Sequence, residues 1–286
     1  LLVPVSLREV APGVHLYDLG QNIAGWVRLR VAAPAGTRFQ LRHGERLNAD
    51  GSLYTANLRR AKATDVFICR GEGEEPWEPH FTFHGFQYVE LTATAPDGRP
   101  LLGADFRPTV ATVTGCALHS STPPSGHFEC SHAGVNRLWL NGLWSQRDNF
   151  LSVPTDCPQR DERLGWMGDA QVFIRTATYN CDVAAFFTKW MIDVEDAQTP
   201  DGLFPDVAPR VPENINFIGL DDLCGGAGWA DAGIVIPWTI WRMYGDTRLI
   251  ERHWGAMVAW LDYLERTNPD GIRSRDLRNN YGDWLC

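Results

Sequence analysis

The chain has 286 residues, 44% of them apolar and 21% charged, which excludes a disordered tail, a fibre or a heptad rod and fits one large or two ordinary globular domains. Its 26 Lys and Arg against 35 Asp and Glu leave a formal charge of −9, the wrong sign for a general binder of nucleic acid or anionic membrane. No uncharged apolar run is long enough to cross a bilayer as a helix.

The first third reads as strands. Val14–Asp18, Gly25–Val31 and Phe39–His43 alternate apolar and polar residues, the period of half-buried β-strands. Gly13, Pro34-Ala35-Gly36 and Asp50-Gly51 punctuate them as turns. Asp65–Cys69, Phe81–Phe83, Gln87–Thr92 and Thr109–Thr114 are further candidate strands, with Glu72–Pro76 as a polar loop. Short strands with no amphipathic helix between them predict an antiparallel β-sandwich over residues 1–115.

From about Ser131 the period changes. Val135, Leu138, Trp139, Gly142 and Leu143 recur at helical spacing, with Ser131 as the expected N-cap. Helical stretches follow over Asp169–Asn180, Asp182–Asp196, Trp229–Tyr244 and Thr247–Arg266. The tight joints Asn180-Cys181-Asp182 and Gly245-Asp246 predict αα-hairpins, so residues 116–286 form an all-α domain with long connections. Trp139, Trp190, Trp241 and Trp260 sit at core spacing, whereas Trp166, Trp229 and Trp284 lie beside Gly and an acid near element ends. Indoles next to carboxylates suit a sugar, whose CH groups stack on the ring while its hydroxyls bond to the acids.

The seven cysteines, Cys69, Cys116, Cys130, Cys157, Cys181, Cys224 and Cys286, show no CxxC spacing and read as reduced, packed thiols. The eight histidines are scattered and no HExxH occurs, so no metal is expected; His84, between Phe83 and Gly85, reads as a packed sheet residue. Walker, GxGxxG and GxSxG patterns are also missing. Leu1–Ser6 contains neither Met nor a signal peptide, and both ends look cut. The cytoplasm is the favoured compartment.

The chemistry concentrates in Pro154–Asp169, a loop with two prolines and two glycines running into a helix. It holds Asp156, Asp161, Glu162 and Asp169, the guanidinium groups of Arg160 and Arg163, and Trp166. Glycoside hydrolysis needs a protonated carboxyl at the leaving oxygen and a second carboxylate for water or the anomeric carbon. Glu162, beside Asp161 and near Trp166, is suited to the first role. Chemistry alone does not assign the remaining acids, and an Asp/Arg network bracing a long loop is the competing reading.

Asp156-Cys157-Pro158-Gln159-Arg160-Asp161-Glu162-Arg163-Leu164-Gly165-Trp166-x-Gly168-Asp169 resembles the signature loop of bacterial α-L-rhamnosidases, glycoside hydrolase family 78. Asp18–Trp26, Leu53–Arg59 and Phe81–Tyr88 resemble that family's β-sandwich, and Gly228–Ala232 and Tyr281–Trp284 its barrel motifs. The resemblance implies a concanavalin-like β-sandwich followed by part of an (α/α)6 barrel of the six-hairpin type. It also implies an inverting hydrolase that releases terminal α-L-rhamnose without a cofactor. On that pattern Glu162 is the general acid, and Asp156, Arg160, Trp166 and Asp169 line the rhamnose subsite, with Trp229, Asp231, Asp283 and Trp284 as further candidates. The family's general base is a Glu downstream of the last residue here, so this piece is expected to be inactive alone. A different sugar on the same barrel, or carbohydrate binding without catalysis, are the alternatives.

Overall fold

The computed structural model describes residues 1–211, 223–276, 278, 279, 281 and 282. It divides into two compact units, one of Leu1–His119 with Arg147–Asn149 and Cys157–Arg163, the other of Ser120–Gln146, Phe150–Asp156 and Leu164–Cys286. The signature loop is thus shared: its flanks belong to the helical unit and its tip to the β unit.

The β unit contains β1 (Ser6–Ala11), β2 (Val14–Ala32), β3 (Arg38–Gly44), β4 (Arg46–Leu47), β5 (Leu53–Tyr54), β6 (Thr64–Ile68), β7 (Glu74–Trp77), β8 (His84–Thr94) and β9 (Val113–Ala117). Every pairing is antiparallel. The 19-residue β2 organises the unit: its first part lies between β1 and β8, and its second part pairs with β9 and then β7. The expected strands 14–18 and 25–31 are therefore one strand, with a register shift between Asp18 and Ile23 that lets it turn from one set of partners to the other. A Cβ at Gly25 would lie 1.9 Å from the Cys116 carbonyl oxygen, so only glycine permits β2 and β9 to approach this closely. Leu16, Tyr17, Ile23, Leu29, Phe39, Leu41, Phe86, Val89 and Leu91 are essentially sealed from solvent. Each such side chain contributes about 1.5–3 kcal/mol of apolar burial.

Three expectations in this unit fail. Thr109–Thr114, expected as a strand, is a 3-10 turn over Val110–Thr112, held by the Thr109 cap, and the strand starts only at Val113. Most of Glu72–Pro76, expected as a polar loop, lies in strand β7 (Glu74–Trp77); Pro76 is accommodated because β7 pairs with β2 alone. Phe81–Phe83, expected as a strand, lies in irregular structure before β8, with Phe81 at φ 56°.

The helical unit contains α1 (Ala133–Asn149), the short pair β10 (Phe150–Leu151) and β11 (Val153–Pro154), then α2 (Met167–Asn180), α3 (Ala184–Asp196), α4 (Ala232–Tyr244) and α5 (Arg248–Thr267). His132, not Ser131, caps α1, accepting from the Val135 N–H at 3.3 Å. The apolar spacing in α1 marks helix rather than core: Leu143 is buried, but Val135 and Leu138 are exposed. Gly245 takes the left-handed conformation that ends α4 (φ 69°) and starts the tight joint into α5. Trp190 and Trp260 are fully buried as expected, while Trp139 and Trp241 are half-buried. Leu138, Val172, Trp238, Trp254 and Leu261 are each more than half exposed. All six described cysteines are free, four of them buried.

Candidate active site

Within the β unit, the loop tip Cys157–Arg163 is seated by backbone contact. A Cβ at Gly85 would lie 2.8 Å from Gln159 Cα and 3.0 Å from its N, so the glycine of His84-Gly85-Phe86 is the floor on which the loop rests. Arg163 clamps the far end: its Nη2 donates to the Phe83 carbonyl at 2.7 Å and its guanidinium lies 4.0 Å above the Phe83 ring. Between these anchors stands Glu162, its side chain 8% exposed, with Oε2 2.8 Å from Arg160 Nη2 and 3.2 Å from Arg59 Nη1. Asp161 pairs with Arg60 at 2.8 Å. Arg59 and Arg163, which hold this tip, both have positive φ, a strained conformation for residues with side chains.

The β unit also holds buried polar side chains. Glu45 accepts from Asn22 Nδ2 at 2.9 Å and Asn57 Nδ2 at 3.1 Å. Asp148 accepts from the Ala24 N–H at 2.9 Å, and burial, assisted by Glu45, pushes its carboxyl up to about 7. His43, Asp65 and His84 hold three potential metal-ligand atoms within 4.8 Å of one another. The two imidazoles are stacked at 4.1 Å and 19°, so their lone pairs run side by side rather than converging, and sharing one ion would require the rings to tilt apart. Burial and the neighbouring His84 push His43 down to about 3. His84 is a packed sheet residue that shares a hydrogen bond with Asp65 at 3.0 Å.

In the helical unit, the Asp156 N–H donates to the Leu164 carbonyl at 3.2 Å and pinches the base of the signature loop. Trp166, 6% exposed, immediately precedes α2, and Asp169 is exposed in that helix's first turn, where the dipole favours a carboxylate. Trp229 is half-buried; its ring lies 4.1 Å from that of Tyr281, which also meets Trp166 edge-on at 6.2 Å. Asp231 has structural duties, since its two oxygens accept from Gly228 N at 2.9 Å and Trp260 Nε1 at 3.3 Å. Asp283 and Trp284 lie outside the described residues.

The sequence reading missed Asp206. It is fully buried; Oδ1 accepts from Gly226 N at 2.7 Å and Oδ2 from Tyr281 Oη at 2.7 Å and Asn279 Nδ2 at 3.0 Å. Burial pushes its carboxyl up, against the pull of these donors. Its partners stand 20, 73 and 75 residues away, so no local pattern marks it.

Residues 123–286 match the family described as the bacterial alpha-L-rhamnosidase 6 hairpin glycosidase domain, and residues 8–119 the bacterial alpha-L-rhamnosidase concanavalin-like domain. The chain belongs to the bacterial α-L-rhamnosidase family.

An α-L-rhamnosidase of Streptomyces avermitilis is 49% identical over 280 residues, covering 98% of this chain and 25% of that protein. One from Formosa agariphila is 38% identical over 94% of this chain and 27% of its own length. The solved structure of a Streptomyces avermitilis α-L-rhamnosidase complexed with L-rhamnose superposes with TM-score 0.89 at 48% identity, over 99% of this chain and 26% of that one. An α-L-rhamnosidase from Dictyoglumus thermophilum superposes with TM-score 0.83 at 36% identity, over 93% of this chain and 28% of its own. The chain thus spans about a quarter of the length of these relatives. Its architecture is the family's concanavalin-like antiparallel sheet domain followed by the helical six-hairpin glycosidase domain.

Among α-L-rhamnosidase motifs, those of the β domain have a physical reading here. Arg59 of Leu53–Arg59 reaches Glu162, and Gly85 and Phe83 of Phe81–Tyr88 seat the loop that bears it.

Proposed function

We propose that the protein carrying this chain is an inverting α-L-rhamnosidase that releases terminal α-L-rhamnose from rhamnosides. The observation that carries the reading is the 49% identity, over nearly the whole chain, to an α-L-rhamnosidase of Streptomyces avermitilis. Glu162 is the proton donor to the leaving oxygen. The buried setting of its side chain supports this role, and contacts to Arg59 and Arg160 hold the carboxyl in one place as the glycosidic bond breaks. Asp156, Arg160, Trp166 and Asp169 bind the sugar, with Trp229, Asp231, Asp283 and Trp284 as further wall residues. Inversion requires a second carboxylate about 6.5–9.5 Å from the acid to activate water. Following the family pattern, that base comes from a part of the barrel beyond these 286 residues. The 286-residue piece alone is accordingly inactive.

Release of p-nitrophenol from p-nitrophenyl α-L-rhamnopyranoside, by this chain and by the full-length protein, tests the proposal. Turnover by the full-length protein alone supports it. Turnover by the 286-residue chain would place the base among the acids present here and overturn the assignment. A full-length protein that cleaves a different glycoside would refute rhamnose as the substrate, and one that binds rhamnose without cleaving it would refute catalysis.

A further inference from the structure

Three segments far apart in sequence meet at one buried aspartate. Asp206 receives Gly226 N–H on Oδ1 and Tyr281 O–H and Asn279 N–H on Oδ2, while its own carbonyl accepts from Met167 N at 2.9 Å. These contacts hold the start of α2 after Trp166, the turn before Trp229, and the segment ending at Tyr281. The three rings on those segments touch: Tyr281 lies 4.1 Å from Trp229 and 6.2 Å from Trp166. Two glycines let them close. A Cβ at Gly226 would lie 2.6 Å from the Tyr281 ring and 2.9 Å from Asp206 Oδ1, and one at Gly168 would lie 2.8 Å from the Trp229 indole.

An acceptor-only group is what this point requires. All three side-chain contacts are donors, and an amide in place of the carboxylate would turn an N–H toward at least one of them. The hydrogen bonds hold the Tyr281 hydroxyl and the Gly226 backbone in place, and both Trp229 and Tyr281 remain partly exposed.

We propose that Asp206 is a positioning residue that sets the aromatic wall of Trp166, Tyr281 and Trp229 against which the sugar ring stacks. It touches no substrate and acts through Tyr281 and the Gly226–Trp229 turn. The inference rests on the rhamnosidase reading given above.

The test compares the full-length protein with its Asp206→Asn and Tyr281→Phe variants on p-nitrophenyl α-L-rhamnopyranoside, with L-rhamnose as product inhibitor. The expected result is that Asp206→Asn raises KM and the inhibition constant of L-rhamnose about tenfold, on the order of one lost hydrogen bond to a charged group, with kcat within about threefold. Tyr281→Phe, which removes only the hydroxyl, shifts both constants the same way by a smaller factor and decides the matter should Asp206→Asn not fold. Unchanged KM and rhamnose affinity in a folded variant, beside an active wild type, would overturn the positioning role. An inactive wild type would instead refute the rhamnosidase reading on which it stands.

Discussion

Gly85→Ala probes how the β unit seats the loop that carries Glu162. The new Cβ would stand 2.5 Å from Gln159 Cβ and 2.8 Å from its Cα, where ordinary contact begins at 3.4 Å. The Gln159 backbone must therefore retreat by at least about 0.6 Å, and Glu162 lies three residues further along. Arg163, held on Phe83, limits how far the shift can be absorbed at the other end. Overpacking of this kind costs about 1–3 kcal/mol of stability. Displacing a catalytic group by about 1 Å costs on the order of 10²-fold in rate. The expected outcome is a 10- to 100-fold loss of kcat/KM on p-nitrophenyl α-L-rhamnopyranoside, larger than the accompanying fall in Tm would suggest. A folded variant with kcat/KM within about threefold of wild type would show that contact with β8 does not position the loop.

Asp148→Asn should raise Tm at pH 8 and leave it nearly unchanged at pH 4. Burial lifts this carboxyl from 3.8 to about 7, so the folded state keeps a proton that the unfolded chain releases. The associated stability is fully present below pH 4 and lost as pH rises through 7, with a ceiling on the order of 4 kcal/mol. An equal Tm shift at both pH values would refute that linkage. Gly168→Ala should push the Trp229 indole aside and raise KM several-fold with little change in kcat; an unchanged KM would detach Trp229 from the sugar wall. Arg59→Ala should lower kcat while changing stability by less than about 1 kcal/mol, because its side chain is half exposed; a large drop in Tm would show a structural role instead.

Features with a local signal were legible in the sequence. Alternation marked β2 and β3, the Gly245-Asp246 joint marked an αα-hairpin, and the density of acids, arginines and Trp166 marked the signature loop. What escaped depends on partners distant along the chain. Glu72–Pro76 read as a polar loop, yet the Glu75 carboxylate turns inward to accept from Arg70 N and Gly71 N. Val135 and Leu138 marked an apolar helix face, but spacing defines such a face without saying what covers it, and both are exposed. Asp206 sits between Pro205 and Val207 with no charged neighbour in sequence, and its importance comes wholly from Gly226, Asn279 and Tyr281. The sharing of the signature loop between the two units was equally invisible, since Gly85 and Arg59 lie far upstream of Glu162.

The central claim is that Glu162 donates the proton to the leaving group of a rhamnoside. Its most direct test is kcat/KM of the full-length protein and its Glu162→Gln variant on two α-L-rhamnosides, one with a poor leaving group such as a sugar alcohol and one with 2,4-dinitrophenolate, which departs without protonation. The account predicts a loss of at least about 10³-fold on the first substrate and a far smaller loss on the second. Equal losses on both, or full activity of Glu162→Gln on the poor leaving group, would contradict it.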